Sequence, residues 1–172
     1  MADEPRLTPT SYIVLGLLDS CGEATPYELK GIAAAGVGNF WSLQHAQLYT
    51  ETARLAEAGY LDEEREEGGR LRKRYRLTDR GRDALREWVA TPTDRFTELR
   101  DLALLKLFFG AEPAALAGAQ LEIHRAKLAE YEELRAGAGG AEAGGPLVAL
   151  DAGIAHEREW VRYWSGLAGE GL

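Results

Sequence analysis

Cationic side chains are concentrated in one short segment of an otherwise acidic chain. The 172 residues carry a formal net charge of −8. Residues 70–86, RLRKRYRLTDRGRDALR, nevertheless hold eight cations against two carboxylates, a local charge of +6. Because like charges this close together repel one another, such a segment is typical of a surface that faces a polyanion. The chemistry expected here is therefore the binding of phosphate groups.

The first part of this segment has the spacing of a β-strand. Strand alternation places two sets of side chains on opposite faces: Arg70, Arg72, Arg74 and Arg76 on one, and Leu71, Lys73, Tyr75 and Leu77 on the other. We therefore predict DNA contacts for Arg70, Arg72, Lys73 and Arg74. The alternative is a solvated run of charge, which leaves unexplained why four arginines share a face close to a polar helix.

That polar helix is predicted over LQHAQLYTETARLAEA, with Ser42 as its N-cap. If Leu48 marks the core direction, the 100° step of a helix places Thr52 and Leu55 beside it. The three side chains predicted to point away from the core are Gln47, Thr50 and Arg54. A slender polar half of this kind suits a major groove, where glutamine can pair with adenine. A solvated polar helix face is the alternative.

The elements that must position these residues can be predicted from caps and periodicity. Thr8 or Thr10 starts a first helix that runs to about Cys21, and Thr25 with Glu28 forms the capping box of a second. YLDEEREE, Gly68-Gly69 and RLRKRYRL predict a β-hairpin. Thr78 caps a fourth helix with Leu85, Trp88 and Val89 on its apolar side. Three helices, a hairpin and a helix are the order of a winged helix-turn-helix.

The rest of the chain is predicted to be helical. Apolar helices are expected over FTELRDLALLKLFFG, from Pro113 to about Arg135, and from Leu147 onward, with a flexible glycine-rich connection at 136–146. The last helix carries an apolar seam interrupted only by Glu157, which suits pairing with other helices. The fold class is therefore mainly α with a small β-hairpin. Residues 1–92 form the predicted DNA-binding domain and residues 93–172 a helical dimerisation domain.

Several other classes of protein are not favoured. The three histidines are far apart in sequence, no catalytic or nucleotide-binding motif is present, and neither an enzyme, a metal site nor a cofactor is expected. No stretch is long and apolar enough for a membrane span, and the polar N-terminus is unlike a signal peptide. The single Cys21 is expected to be a buried small hydrophobe. We therefore expect a cytoplasmic protein.

Two segments resemble the winged-helix domain of the PadR family of bacterial transcriptional regulators. They are FWSLQHAQLYTETARLAEAGYL and RKRYRLTDRGRDALREW. The positions that fall on the family pattern are Tyr49, Leu55, Gly59, Tyr75, Leu77, Thr78 and Gly81. Thr52 and Thr50 depart from it, since the family usually has Leu and often has Pro there. The last tryptophan-bearing helix is similar to the family's C-terminal region.

The resemblance implies a homodimer whose C-terminal helices pair the subunits and whose wings flank a near-palindromic operator. It adds Ser42, Gln44, His45, Gln47 and Tyr49 to the residues expected at the DNA. Tyr27 is a further candidate for phosphate contact, with packing beneath the helix pair as its alternative. Neither reading changes the predicted partner, which is double-stranded DNA.

The resemblance also implies a small aromatic or planar effector. The residues predicted to bind it are Phe108, Phe109, Tyr131, Trp160 and Trp164, with plain interface packing as the alternative. The predicted function is that of a repressor released by such a compound. Two alternatives stay open: a winged-helix interaction module that dimerises without binding DNA, and a protein that sequesters small molecules without regulating transcription.

Overall fold

The computed structural model describes residues 6–65, 72–139 and 144–169. The chain divides into two compact units, residues 1–95 and 96–172. The described elements of the first are α1 (Pro9–Cys21), β1 (Glu23–Ala24), α2 (Pro26–Ala35), α3 (His45–Glu57), β2 (Leu61–Arg65), β3 (Lys73–Leu77) and α4 (Asp79–Ala90). Those of the second are α5 (Leu102–Phe108), α6 (Pro113–Gly137) and α7 (Gly145–Ala168). The predicted fold class, mainly helical with a small antiparallel sheet, is confirmed.

The first two helices begin where local sequence predicts. The hydroxyl of Thr8 accepts a hydrogen bond from the backbone N–H of Ser11 at 3.4 Å. At α2, Thr25 accepts from the backbone of Glu28 at 3.3 Å, and the Glu28 carboxylate accepts from the backbone of Thr25 at 2.7 Å. This reciprocal pair is the predicted capping box. Both N-termini are therefore fixed by contacts three residues apart.

The predicted start of α3 is wrong. The helix begins at His45, three residues after Ser42, and Gln44 is its N-cap residue. The backbone N–H of Gln44 donates to the side-chain oxygen of Gln47 at 3.2 Å. The Gln47 side chain thus accepts from the N-cap residue, whereas Ser42 was expected to accept from N–H groups of the first turn. Ser42 lies exposed in the preceding connection.

The sheet has the strand order β1-β3-β2, and both pairings are antiparallel. In the hairpin, Leu61 pairs with Leu77 and Glu63 with Tyr75. The two-residue strand β1 was not predicted; it pairs Ala24 with Tyr75 on the other side of β3. The predicted Gly68-Gly69 reversal, together with Arg70 and Leu71, lies outside the described residues.

The core of the first unit contains buried side chains from α1, α2, α3 and all three strands. Its buried members are Val14, Leu15, Leu18, Ala24, Leu29, Leu48, Leu55, Tyr60, Leu61, Tyr75 and Leu77. Tyr12 of α1 stacks on Trp88 of α4 with ring centroids 4.6 Å apart. Two expectations are wrong: Val89 is 69 % exposed, so it does not pack on the apolar side of α4, and Cys21 is exposed.

In the second unit, α5 is shorter than predicted. Residues 96–101 are not helical, because the side chain of Asp101 caps the helix by accepting from the backbone N–H groups of Ala103 and Leu104 at 2.7 and 3.1 Å. The capping carboxylate starts the helix there, although the apolar periodicity extends further back. Only about two turns of α5 remain to pack on α6.

Helices α6 and α7 run antiparallel, since contacts between them move in opposite directions along the two sequences. Arg135 bonds Asp151 at 2.8 Å, and His124 bonds Glu157 at 2.6 Å. Trp164 is fully buried at the far end with Ala103, Ala117 and Leu121. Glu157, the residue that interrupts the apolar seam, is only 12 % exposed at its side chain and pairs with His124.

Candidate nucleic-acid interface

The first half of α3 presents polar side chains to solvent. Gln47 and Thr50 are exposed, while Leu48 and Thr52 are buried at 1 and 0 %. This is the two-faced helix that the sequence predicts. The Thr50 hydroxyl donates to the carbonyl of Ala46 at 3.1 Å, so both of its lone pairs stay available to accept from a partner. The exposed face is therefore able to read base edges or bind phosphates.

Residues around the N-terminus of α3 are positioned for the same surface. Gln44 is exposed, and Tyr49 is 48 % exposed. Tyr27, at the start of α2, is 72 % exposed, which argues against its alternative placement beneath the helix pair. The side chain of His45, the first residue of α3, lies outside what the structure describes.

The predicted orientation of Arg54 is wrong. Its guanidinium turns toward α1, where it donates to Ser11 Oγ at 3.0 Å and to both carboxylate oxygens of Glu51. Ser11 in turn donates to Glu51 at 2.5 Å. Burial opposes ionisation of Glu51, but the hydrogen bonds from Arg54 and Ser11 outweigh it and lower the pKa of this carboxyl. Arg54 thus fastens α3 to α1.

The cations of β3 are held by carboxylates of the same domain. Lys73 Nζ bonds Glu63 at 3.0 Å, Arg74 bonds Glu23 at 3.1 Å, and Arg76 bonds Asp62 at 3.2 Å. The predicted alternation of faces is confirmed for the described part of the strand, since Tyr75 and Leu77 are buried and Arg76 is exposed. Arg72, just before β3, is exposed, and Arg70 lies outside the described residues.

Glu63 is the most connected of these carboxylates. It accepts from Lys73, from Arg65 at 3.2 Å and from the hydroxyl of Tyr75 at 3.1 Å. The hydrogen bond from Lys73 is the largest cause that holds the pKa of Glu63 below its ordinary value. The hairpin of β2 and β3, which we call the wing, is therefore an ion-paired ribbon, with positive and negative groups side by side.

The later cations of the run have structural roles that composition did not reveal. Arg80 donates to the carbonyl of Ala58 at 2.9 Å and lies 4.3 Å over the ring of Tyr60. Arg82 donates to Asp79 and to the carbonyl of Leu77, and Arg86 pairs with Asp83. The local charge of +6 thus overstates the number of cations that the hairpin of β2 and β3 could offer to phosphates.

Two exposed aromatic side chains beside α3 were not predicted as functional. Phe40 and Trp41 are 68 and 44 % exposed, and both backbone N–H groups bond the carbonyl of Val37 in a single 3-10 turn. Adjacent large aromatics four and five residues before α3 were a readable signal in FWSLQ. They extend the candidate surface toward the connection that follows α2.

The predicted effector residues lie on the three helices of the second unit or directly beside them. Trp160 and Trp164 stack with centroids 6.3 Å apart, and Phe108 and Phe109 are an exposed edge-to-face pair. Tyr131 instead packs on Gly153, seven residues before Trp160 and so about 10 Å along α7. Trp164 is a core residue, and its indole N–H has no hydrogen-bond partner among the described residues.

Two of the three histidines meet around Trp160, which their sequence separation did not suggest. The His124 ring stacks on Trp160 at 5.7 Å, and the Trp160 indole N–H donates to His156 at 2.7 Å. Among the described residues, no group of three or more His, Cys, Asp or Glu side chains is arranged to hold a metal ion. The cluster joins α6 to α7.

Sequence comparison identifies the family of this chain. Residues 14–87 match the PadR-like family of transcriptional regulators, and residues 99–165 match the family described as virulence activator alpha C-term. The negative transcriptional regulator PadR of Bacillus subtilis (strain 168) is 32 % identical over 138 residues, which are 74 % of this chain and 75 % of that protein. The chain belongs to the PadR family. The resemblance inferred from its motifs is confirmed.

Solved structures of PadR proteins have the same fold. A crystal structure of Bacillus subtilis PadR in complex with operator DNA superposes with a TM-score of 0.82 at 24 % identity, covering 96 % of this chain and 99 % of that one. Another, in complex with p-coumaric acid, gives 0.75 at 23 % identity and covers 95 and 97 %. These similarities establish the PadR fold for almost the whole chain. Within the described ranges, no helix is both long and apolar enough to cross a membrane.

Proposed function

We propose that this member of the PadR family is a homodimeric repressor that binds a near-palindromic operator and leaves it when a small aromatic compound binds. The observation that carries the proposal is the exposed polar face of α3, bearing Gln47 and Thr50, in the same compact unit as a cationic hairpin. A helix for base edges and a ribbon for phosphates are the two parts that sequence-specific binding requires. That activity belongs in the cytoplasm, where bacterial DNA lies.

The contacts with DNA divide into two groups. Gln44, Gln47, Tyr49 and Thr50 would face the major groove, and Arg72 with Lys73 would face the phosphates. Gln47 must give up its hydrogen bond to the backbone of Gln44 in order to pair with a base. Ser42 and Tyr27 are exposed at the edge of this surface. Two copies of α3 would enter major grooves about 10 bp apart, or a multiple of that spacing.

The second unit supplies the proposed dimer contact, so residues 1–92 would bind DNA and residues 93–172 would pair the subunits. Its apolar side chains are unusually exposed for a helical domain. They include Leu102 at 66 %, Leu105 at 53 %, Phe108 at 82 % and Phe109 at 79 %. Contiguous apolar surface of this kind marks a protein interface. A second copy of this chain is the partner that the operator symmetry calls for.

The proposed effector is a planar aromatic compound. Support comes from the half-buried Trp160, whose ring lies among those of His124, Tyr163 and Trp164, and from the similar Bacillus subtilis protein solved with p-coumaric acid. Binding there would favour a dimer conformation unable to span both half-sites. Quenching of tryptophan fluorescence by such a compound, lost in Trp160→Phe but kept in Trp41→Phe, is the expected result.

Binding to the DNA upstream of its own gene, measured by fluorescence anisotropy at two salt concentrations, tests the proposed function. Arg72→Glu should weaken binding at least about tenfold, because one phosphate contact is lost and a like charge is added. Arg72 is the better choice than Arg74, which holds β3 to Glu23. Arg95→Glu makes the same change of charge on an exposed residue outside the wing and should have little effect.

The negative outcome is equally informative. A folded wild-type protein that dimerises yet binds no duplex in dilute buffer would contradict the proposed function. It would favour instead the winged-helix interaction module that dimerises without binding DNA.

A further inference from the structure

The wing cations already have anionic partners in the free protein. Glu63 receives Lys73, Asp62 receives Arg76, and Glu23 receives Arg74, with N–O distances of 3.0, 3.2 and 3.1 Å. These bonds cross between strands and are not contacts of sequence neighbours, so the fold itself brings them together. Each carboxylate accepts from one of the donor groups that its cation could otherwise offer to a phosphate oxygen.

A carboxylate and a phosphate make the same kind of bond to an ammonium or guanidinium group. A lysine bonded to Glu63 has one of its ammonium protons engaged and its charge locally neutralised. When such a lysine binds DNA, it neutralises less phosphate charge and so releases fewer of the counterions condensed on the DNA. This release is the main source of affinity for arbitrary DNA. A phosphate that binds this wing therefore competes with a carboxylate for the charge of the same cation.

We propose that Arg76 joins Lys73 as a phosphate contact, and that Asp62 and Glu63 are internal competitors for the DNA phosphates, which keep this regulator off DNA that lacks its operator. The inference rests on the proposed function. Competition lowers the electrostatic contribution in every complex. At the operator, the base contacts of α3 remain in addition; on arbitrary DNA the electrostatic contribution stands almost alone. The same loss of affinity therefore removes more protein from bulk DNA, where binding is weak, than from the operator, where the base contacts keep the site close to saturation.

The exposure of these pairs makes the exchange feasible. The Arg76 and Asp62 side chains are 61 and 54 % exposed, and those of Lys73 and Glu63 are 44 and 22 % exposed. Exposed ion pairs are individually weak, so a phosphate can displace the carboxylate at little cost. Glu63 also keeps its bond to Tyr75 at 3.1 Å, which holds the displaced carboxylate close to the wing.

The test uses Asp62→Asn and Glu63→Gln in the full-length protein. Each removes a competing charge and keeps an oxygen acceptor in place, so Tyr75 retains a partner for its hydroxyl. Glu57→Gln makes the same change of charge on the exposed last residue of α3 and is the matched control. Affinity is measured by anisotropy for a short duplex of arbitrary sequence and for the upstream DNA, across a series of salt concentrations.

Each wing variant should bind the arbitrary duplex about threefold more tightly, and the double variant about tenfold, the range expected for exposed ion pairs. The salt dependence should steepen by about one unit of slope for each carboxylate removed. Glu57→Gln should change neither, since a distant exposed charge is screened within about 8 Å at physiological salt. Thermal unfolding checks that the wing variants remain folded. If Glu63→Gln does not fold, Asp62→Asn still tests the inference, because Asp62 is the more exposed of the two residues.

Two results would overturn the inference and leave the proposed function intact. In one, the wild-type protein binds its upstream DNA, yet both wing variants match it on the arbitrary duplex. In the other, Glu57→Gln tightens binding as much as they do, so that only net charge matters. Failure of the wild-type protein to bind any DNA would overturn the proposed function and, with it, this inference.

Discussion

Single residues of one chemical type play different roles in this molecule. Arg54 fastens α3 to α1, Arg80 covers the C-terminal carbonyls of α3, and Arg76 lies exposed on the wing in a pair with Asp62. The sequence places all of them close to the candidate interface. Only the three-dimensional partners separate the arginines that hold the domain together from those that are available to DNA.

Gly81 shows how a family position acquires a physical reason. It is the third residue of α4, and a Cβ built on it would lie 2.3 Å from the carbonyl oxygen of Tyr60. Backbone cannot move aside as a side chain can. We therefore expect Gly81→Ala to destabilise the protein by about 2–4 kcal/mol through this overlap, although alanine is ordinarily the better helix former.

The matched control is Gly118→Ala in α6, where an added Cβ meets nothing within 4 Å. That change should stabilise the protein by about 0.5–1 kcal/mol. Both values are measured by urea unfolding followed by circular dichroism. Equal effects of the two substitutions would show that the close approach of Gly81 to Tyr60 is not what requires glycine.

The Ser11–Glu51–Arg54 network gives a pH-dependent prediction. The lowered pKa of Glu51 means that the folded protein keeps this carboxylate charged at a lower pH than the unfolded chain does. Its contribution to stability is thus fully present above the ordinary glutamate pKa and is lost as the pH falls through the lowered value. Glu51→Gln should cost about 1–2 kcal/mol at neutral pH, and its difference from wild type should shrink in acid.

Glu132→Gln provides the comparison, since Glu132 forms an ion pair with Arg158 in which both side chains are about half exposed, at 46 and 64 %. Such a pair should contribute less than about 0.5 kcal/mol. Unfolding by urea at neutral and acidic pH measures both variants. A Glu51→Gln deficit that stays constant down to strongly acidic pH would contradict the assigned role of the Glu51 carboxylate.

At the scale of elements, what could be predicted depended on the range of the contacts involved. The capping boxes at Thr8 and Thr25 join residues three apart, so the pattern of the sequence contained the answer. Strand β1 exists because Ala24 pairs with Tyr75, fifty-one residues away, and two residues carry no periodicity. The wrong prediction of Ser42 as the cap of α3 shows that local patterns can also mislead, because the contact between Gln44 and Gln47 is equally local.

In the candidate site, too, the features that could be predicted were those that depend on local contacts. The exposure of Gln47, Tyr49 and Thr50 could be predicted because helix periodicity separates them from the buried Leu48. The pairing of Lys73 with Glu63 depends on hairpin register, which the sequence sets only through its apolar pattern. The separation of Tyr131 from Trp160 required the register of α6 on α7, and no local signal contains it.

The α6–α7 pair is expected to depend strongly on Trp164. This side chain is fully buried with Ala103, Ala117 and Leu121, so Trp164→Ala should cost about 3–5 kcal/mol of unfolding free energy. Tyr163→Ala, at a neighbouring side chain that is 39 % exposed, should cost much less. Differential scanning calorimetry of both variants measures the difference, and similar losses would contradict the assignment of Trp164 to the core.

At the scale of the whole molecule, the proposed operator symmetry requires two copies of the chain, and the second unit exposes the apolar surface that pairing would cover. Leu105 and Phe108 are 53 and 82 % exposed, and pairing would bury most of this exposed area. A stable dimer buries roughly 1,200–2,000 Å² in total, and charges are depleted at the centre of such an interface. Leu105→Glu with Phe108→Glu should therefore turn a dimer into a monomer at micromolar concentration.

Sedimentation velocity measures the oligomeric state, and anisotropy with the upstream DNA measures its consequence. The monomer should bind at least about a hundredfold more weakly. In a dimer, binding of one subunit to its half-site raises the effective concentration of the other subunit at the second half-site, and the monomer lacks this effect. Ile32→Glu, on a 36 % exposed apolar residue of α2, controls for added negative charge and should leave the dimer intact. A Leu105→Glu, Phe108→Glu protein that sediments as a dimer would show that the subunits pair through another surface.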